Sequence, residues 1–171
     1  GGAGRAKSTA ARAARKIPRA IIRRLFEVPC VASGKVFMSF PVDVVVMAAG
    51  KGTRMKSSKP KVLHRLGGRA LAQHVIDTAA RISARSVVVI TGHGADQVEA
   101  GLSAPLVESG AALKLQFVRQ EPQLGTGHAV QQAVPALADD GVTLILNGDV
   151  PLIEDETLRA LLAHSEGRRL A

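Results

Sequence analysis

The sequence predicts an α/β fold, a Rossmann-like three-layer sandwich with a mostly parallel sheet, and two observations carry that expectation. From Pro41 onward, short runs of Val, Leu and Ile alternate with segments of helical periodicity, the pattern of strand-helix-strand units joined by right-handed crossovers. The chain of 171 residues is 46% hydrophobic yet holds only four aromatics, all Phe, so its core has to be aliphatic, which suits parallel strands covered by helices.

Residues 43–48 (DVVVMA) are dense in β-branched side chains and read as a buried strand. Leu71, Val75, Ile76 and Ala79 then recur at helix spacing and predict a helix over 70–82. A second strand covers 86–91 (SVVVIT), a short helix lies near 94–102, and a third strand spans about 113–118. Val130, Ala133, Val134 and Leu137 mark a helix over about 127–138, with Thr126 as its N-cap and Pro135 kinking or ending its last turn. Residues 142–147 (VTLILN) give a fourth strand. A last helix follows Pro151, with Leu158, Leu161 and Leu162 on one face and Glu154, Asp155 and Glu156 in its first turn, where carboxylates complement the helix dipole.

The positive charge of the chain is local. Residues 1–40 hold nine Lys and Arg against Glu27 alone, whereas residues 41–171 hold 14 against 13 acidic residues, so the folded part is close to neutral. That distribution, with so few aromatics for base stacking, argues against nucleic-acid binding by the folded part. Residues 1–40 are expected to be a disordered basic extension, ending in a linker around Pro29 to Gly34. An RNA- or membrane-binding arm and an Arg-rich presequence are the alternatives to a solvated tail without function. Met38, just before the first strand, lies where a natural start would fall. Cys30 is the single cysteine, which excludes an internal disulfide and a thiolate metal site and suits a reducing, cytoplasmic setting. No apolar run approaches the roughly 18 residues of a membrane span.

In a parallel sheet, ligands sit at the carboxyl ends of the strands near the switch in strand order, so residues that follow strands are the informative ones. After the first strand come Ala48-Ala49-Gly50-Lys51-Gly52-Thr53-Arg54-Met55, where small residues let backbone N–H groups approach phosphate and Lys51 and Arg54 add charge. The loop is neither a Walker A sequence nor a three-glycine dinucleotide fingerprint. A bare Gly-x-Gly is more often an ordinary turn than a phosphate loop, and Arg54 with its neighbours shifts the reading toward phosphate. Lys59-Pro60-Lys61-Val62-Leu63 lies in the long connection before the next helix, and a stiffened Lys61 offers a point charge for an α-phosphate. The loop Gln120-Glu121-Pro122-Gln123-Leu124-Gly125-Thr126-Gly127-His128-Ala129 has much that is structural. The Gln120 amide, however, carries a donor and an acceptor that match the edge of uracil or of adenine. Asn147-Gly148-Asp149 closes the fourth strand, with Asp149 placed to hold Mg²⁺ or to cap a turn.

Taken together, MAAGKGTRM (47–55), KPKVLH (59–64), QEPQLGTGHA (120–129) and NGDVPL (147–152) resemble the sugar nucleotidyltransferases. They are most similar to the N-terminal part of the bacterial bifunctional N-acetylglucosamine-1-phosphate uridylyltransferases/glucosamine-1-phosphate acetyltransferases. The four motifs occur in order from about Met38 to the end, with Asn147 where Tyr is common. Single motifs are shared with cytidylyl-, thymidylyl- and molybdopterin-guanylyltransferases, which leaves CTP, dTTP or GTP as alternative substrates and a non-catalytic nucleotide-binding fragment as a further one.

The resemblance implies a truncated nucleotidyltransferase fold over 41–171 and transfer of uridylyl from UTP to N-acetylglucosamine 1-phosphate with Mg²⁺. It implies nucleotide contacts from Met47, Ala48, Ala49 and Gly50, and from Asn147 and Gly148. It also implies Arg54 and Lys61 as catalytic residues on the phosphates, Gln120, Gly125 and Thr126 on the uracil, and Asp149 as metal ligand. His64, His93 and His128 are expected to pack or hydrogen-bond rather than catalyse. In such proteins the sugar contacts and a second metal ligand lie further along. A β-helix domain then carries acetyl transfer and forms a homotrimer, so the present chain is expected to bind UTP weakly and to turn over poorly.

Overall fold

The computed structural model describes residues 40–52, 55–102 and 113–165. The expectations for the basic extension and for Met38 lie outside the described residues. Four strands form one parallel sheet: β1 (Val42–Met47), β4 (Ser86–Thr91), β5 (Lys114–Arg119) and β6 (Val142–Asn147), in the order β5-β4-β1-β6. β1 lies between β4 and β6, with Val45 opposite Val88 on one side and Ile145 on the other. Such a position demands side chains that can be buried on both faces, and the valines of VDVVVM meet it: Val44, Val45 and Val46 are fully buried.

Helices α1 (Leu71–Arg81), α2 (Ala95–Leu102) and α4 (Asp155–Ser165) send Val75, Ile76, Val98, Leu102, Leu158 and Leu162 into one core with Val44, Val46, Val87 and Val89. On the opposite face, α3 (Thr126–Ala133) lays Ala129 and Ala133 against Val45, Val88 and Ile90. The layers are helix, sheet, helix, as the sequence predicts. Alternation along each strand, odd valines to one face and even to the other, follows from the two-residue period of extended backbone.

At the amino end of the sheet, Asp43 is buried inside β1 and held bidentately by Arg85, at 3.0 Å from Nε and 2.6 Å from Nη2. The Ser86 hydroxyl donates to the same carboxylate at 2.7 Å, and Arg85 also reaches Asp140 at 2.8 Å. Burial pushes the Asp43 carboxyl up, but the hydrogen bonds from Arg85 and Ser86 and the Arg85 charge outweigh it and leave it below the usual carboxylate range. The same contacts push the Arg85 guanidinium upward.

Strand and helix boundaries fall within one or two residues of the sequence expectations, with four differences. The connection before α1 contains a 3-10 turn at Lys61–Leu63 and a small hairpin, β2 (Arg65–Leu66) with β3 (Arg69–Ala70). Gly67 and Gly68, both at positive φ, form its two-residue turn. Pro135 does end α3, which gives way to a 3-10 turn over Val134–Ala136 that leaves Val134 exposed. Thr126 is the first helical residue rather than the N-cap. Gly125 occupies the cap at φ 98°, and no side chain caps the helix. In α4 the first turn holds Asp155 and Glu156, Glu154 precedes it, and Leu161 is 36% exposed because the buried stripe is only Leu158 and Leu162 wide.

Candidate functional site

Strand order reverses at β1, with β4 and β5 laid down to one side and β6 to the other, so the carboxyl ends of β1 and β6 flank a crevice. A cleft of about 580 Å³ opens there. Its walls include Met47, Ala49 and Gly50 after β1, Lys61 from the 3-10 turn, Gln120 after β5, Gly125 and Thr126 at the start of α3, and Asn147 and Asp149 after β6. Three connections far apart in sequence therefore meet at one place, the first supplying both the β1 loop and Lys61.

The β1 loop and the segment bearing Lys61 pack through a glycine. Gly52 has φ +59°, and a Cβ there would lie 2.9 Å from the Lys61 Cβ, so only glycine lets the β1 loop lie against the lysine. Lys61 projects its Nζ across the cleft to within 2.5 Å of Asp149 Oδ2, with both side chains partly exposed. An ion pair in that setting is worth about 0–1 kcal/mol, weak enough for an incoming phosphate or cation to exchange with either partner. Gly148 sits behind the rim, its N–H donated to Met47 O at 3.0 Å, and ties the β6 loop to β1.

Gln120 is buried, with 4% of its surface exposed. Its backbone N–H bonds Thr91 O at 2.8 Å, and its side-chain Nε2 donates to Gly125 O at 2.8 Å and lies 3.3 Å from His128 Nδ1. The neighbouring Arg119 is clamped by Glu99 and Asp96 of α2 at 2.9 and 2.5 Å, while Thr91 also donates to Glu99 at 3.0 Å. The Arg119 hydrogen bond, opposed by partial desolvation and helped by Thr91, leaves the Glu99 carboxyl below its usual range. This network fixes the ends of β4 and β5, and with them the backbone from which Gln120 projects. On the far side of the same loop, Gln123 donates to Ala49 O at 3.2 Å and joins the α3 loop to the β1 loop.

Two predicted residues do not line the cleft: Ala48 is 2% exposed, packs in the core and gives its N–H to Ile90 O, and Gly148 lies behind the rim as described. Arg54 lies outside the described residues. Gly52, Met55, Val62, Gln123 and Ala129 also line the cleft. Of these, Gln123 carried a readable signal, a second amide three residues after Gln120 in a glycine-bearing loop. Val62 carried none, being one aliphatic residue in a segment without periodicity.

Among the described residues no three His, Cys, Asp or Glu side chains gather closely enough to cage a metal. The cleft instead offers the single Asp149 carboxylate with Asn147 beside it on the rim. That donor set fits a hard ion such as Mg²⁺, which keeps several waters and takes its remaining oxygens from substrate phosphate. It does not fit zinc, which prefers nitrogen and sulfur donors.

Residues 44–171 match the family described as MobA-like NTP transferase domain. The protein of Polaromonas naphthalenivorans named "Bifunctional protein GlmU" is 70% identical over 131 residues, covering 77% of this chain and 28% of that protein. A protein of the same name from Polaromonas sp. strain JS666 is 67% identical over 137 residues, covering 78% and 28% respectively. Among solved structures, a nucleotidyl transferase from Methanothermobacter thermautotroptrophicus superposes with a TM-score of 0.58 at 25% identity, over 72% of this chain and 57% of that one. The chain thus spans a little over a quarter of the length of the curated relatives it matches.

Proposed function

The chain belongs to the MobA-like NTP transferase family, and from that premise we propose that it supplies the UTP- and Mg²⁺-binding half of a uridylyltransferase. The reaction joins UTP and N-acetylglucosamine 1-phosphate to give UDP-N-acetylglucosamine and pyrophosphate. The observation that carries this reading is the shared cleft, in which Gly50, Lys61, Gln120 and Asp149 face one volume sized for a nucleotide.

A phosphate oxygen of the sugar phosphate attacks the α-phosphorus of UTP, the bond from that phosphorus to the bridging oxygen breaks, and pyrophosphate leaves with the electron pair. A phosphate monoester with a second pKa near 6 is largely dianionic at pH 7, so the nucleophile needs no general base. The work left to the protein is alignment and charge neutralisation. Lys61, braced by Gly52 and the 3-10 turn, swings its ammonium from Asp149 onto an α-phosphate oxygen. The small residues Ala49 and Gly50 let the triphosphate lie against backbone, and Gln120 with the start of α3 receives the base. Asp149 with Asn147 would hold Mg²⁺, which supplies neutralisation of the charge that builds on the phosphate oxygens.

The test is thermal stabilisation of the purified chain by UTP, CTP, dTTP or GTP, each with Mg²⁺. UTP raising the melting temperature most supports the proposal, and no shift with millimolar UTP and Mg²⁺ overturns it.

A further inference from the structure

The amide of Gln120 and the ring of His128 form a chain of contacts that fixes which end of the amide meets a ligand. Gly125 O also accepts the Ala129 N–H at 3.1 Å and, being a carbonyl, can only accept. The amide atom 2.8 Å from it is therefore the nitrogen. That NH₂ group has its second proton toward His128 Nδ1 at 3.3 Å, so Nδ1 must present a lone pair and the ring proton sits on Nε2. Gln132, one turn along α3, lies with its amide nitrogen 3.1 Å from Nε2, so a proton on Nε2 requires that amide to be turned over with its oxygen toward the ring. With both Gln120 protons committed, the Gln120 oxygen takes no hydrogen bond among the described residues, on a side chain that lines the cleft.

We propose that His128 is a positioning residue that sets base selectivity by keeping the Gln120 amide oxygen toward the ligand. An acceptor at that point pairs with a base edge carrying an N–H, as uracil does at N3. It opposes cytosine, whose N3 is a lone pair. The same acceptor disfavours adenine, whose N1 is likewise a lone pair, so the orientation narrows a free amide's choice to bases with a ring N–H. This inference rests on the uridylyl reading for its choice of nucleotides, although the orientation of the amide stands on the contacts alone.

The experiment has two arms on the full chain. Calorimetric titration with UTP and with CTP, each with Mg²⁺, is expected to show UTP preferred by at least about tenfold. In His128→Phe, which removes the acceptor, that preference is expected to fall by about fivefold, the worth of one neutral hydrogen bond. His128→Asn, whose Oδ1 replaces the Nδ1 lone pair, is expected to restore it. In the second arm, long-range ¹H–¹⁵N correlation of the wild-type imidazoles reports the His128 tautomer without any substitution, and a proton on Nε2 is expected. A proton on Nδ1, or an undiminished UTP preference in a folded His128→Phe chain, overturns the proposal. Failure of wild-type chain to bind UTP at all overturns the uridylyl reading instead, and the tautomer then still decides the amide lock.

Discussion

Replacing Arg85 with Ala strips the Asp43 carboxylate of its cationic partner. Asp43 is 2% exposed and would keep the Ser86 hydroxyl, but it would lose both guanidinium bonds and the adjacent positive charge. Stripping one partner from a fully buried pair costs about 3–5 kcal/mol. The Arg85 side chain is 34% exposed, so water can follow its removal, and a loss of about 2–3 kcal/mol is expected. For a chain of this size that corresponds to a fall of roughly 6–12 °C in melting temperature. In the wild type the folded carboxyl lies below its ordinary value. Its contribution is therefore present above about pH 4, the unfolded value, and is lost as pH falls through the folded one. Without Arg85 burial is opposed only by the hydrogen bonds from Ser86 and the Ala138 backbone, so the folded value rises from its wild-type position and the variant loses less stability on acidification. The gap between the two proteins should accordingly narrow from pH 7 toward pH 3, followed as melting by circular dichroism at 222 nm. A drop under 2 °C at pH 7, or a gap that does not change with pH, would refute the reasoning.

The cleft gives sharper tests of role. Asp149→Asn should abolish the Mg²⁺ dependence of UTP binding, while in EDTA it should bind UTP at least as tightly as wild type, because Lys61 is released from its partner; calorimetry with and without the metal separates the two. Gly52→Ala forces a left-handed residue against the Lys61 Cβ and should cost about 1–2 kcal/mol in urea unfolding, with weaker UTP binding as the lysine is displaced. The Glu99 carboxyl, held low by Arg119, adds a second group whose stabilisation is present at neutral pH and fades on acidification. Arg119→Ala should therefore flatten the acid limb of a stability-against-pH curve.

The sheet was legible because its strands are short β-branched runs, and VDVVVM can be stable in few settings other than a doubly covered strand. The three connections were legible as loops after strands, which is why Gly50, Lys61, Gln120 and Asp149 could be named together. The 3-10 turn and hairpin between Lys61 and Ala70 were not, since two or three residues cannot show a period, although Gly67-Gly68 carried a hairpin signal. Thr126 misled as a cap because side-chain preference at a helix start is a weaker constraint than the positive φ that Gly125 supplies. Which end of the Gln120 amide faces the cleft is invisible in sequence, for it depends on a carbonyl and a ring brought close by the turn into α3.

β6 pairs with β1 on one side only among the described residues, and VTLILN places neither charge nor proline along its other flank, where Ile145 is half exposed. Natural sheets guard such borders with lysines, prolines or bulges. An open strand edge can template pairing with a second chain, so dilution becomes an experimental variable: ligand affinities and melting curves for this chain acquire meaning only when they are shown to be independent of protein concentration.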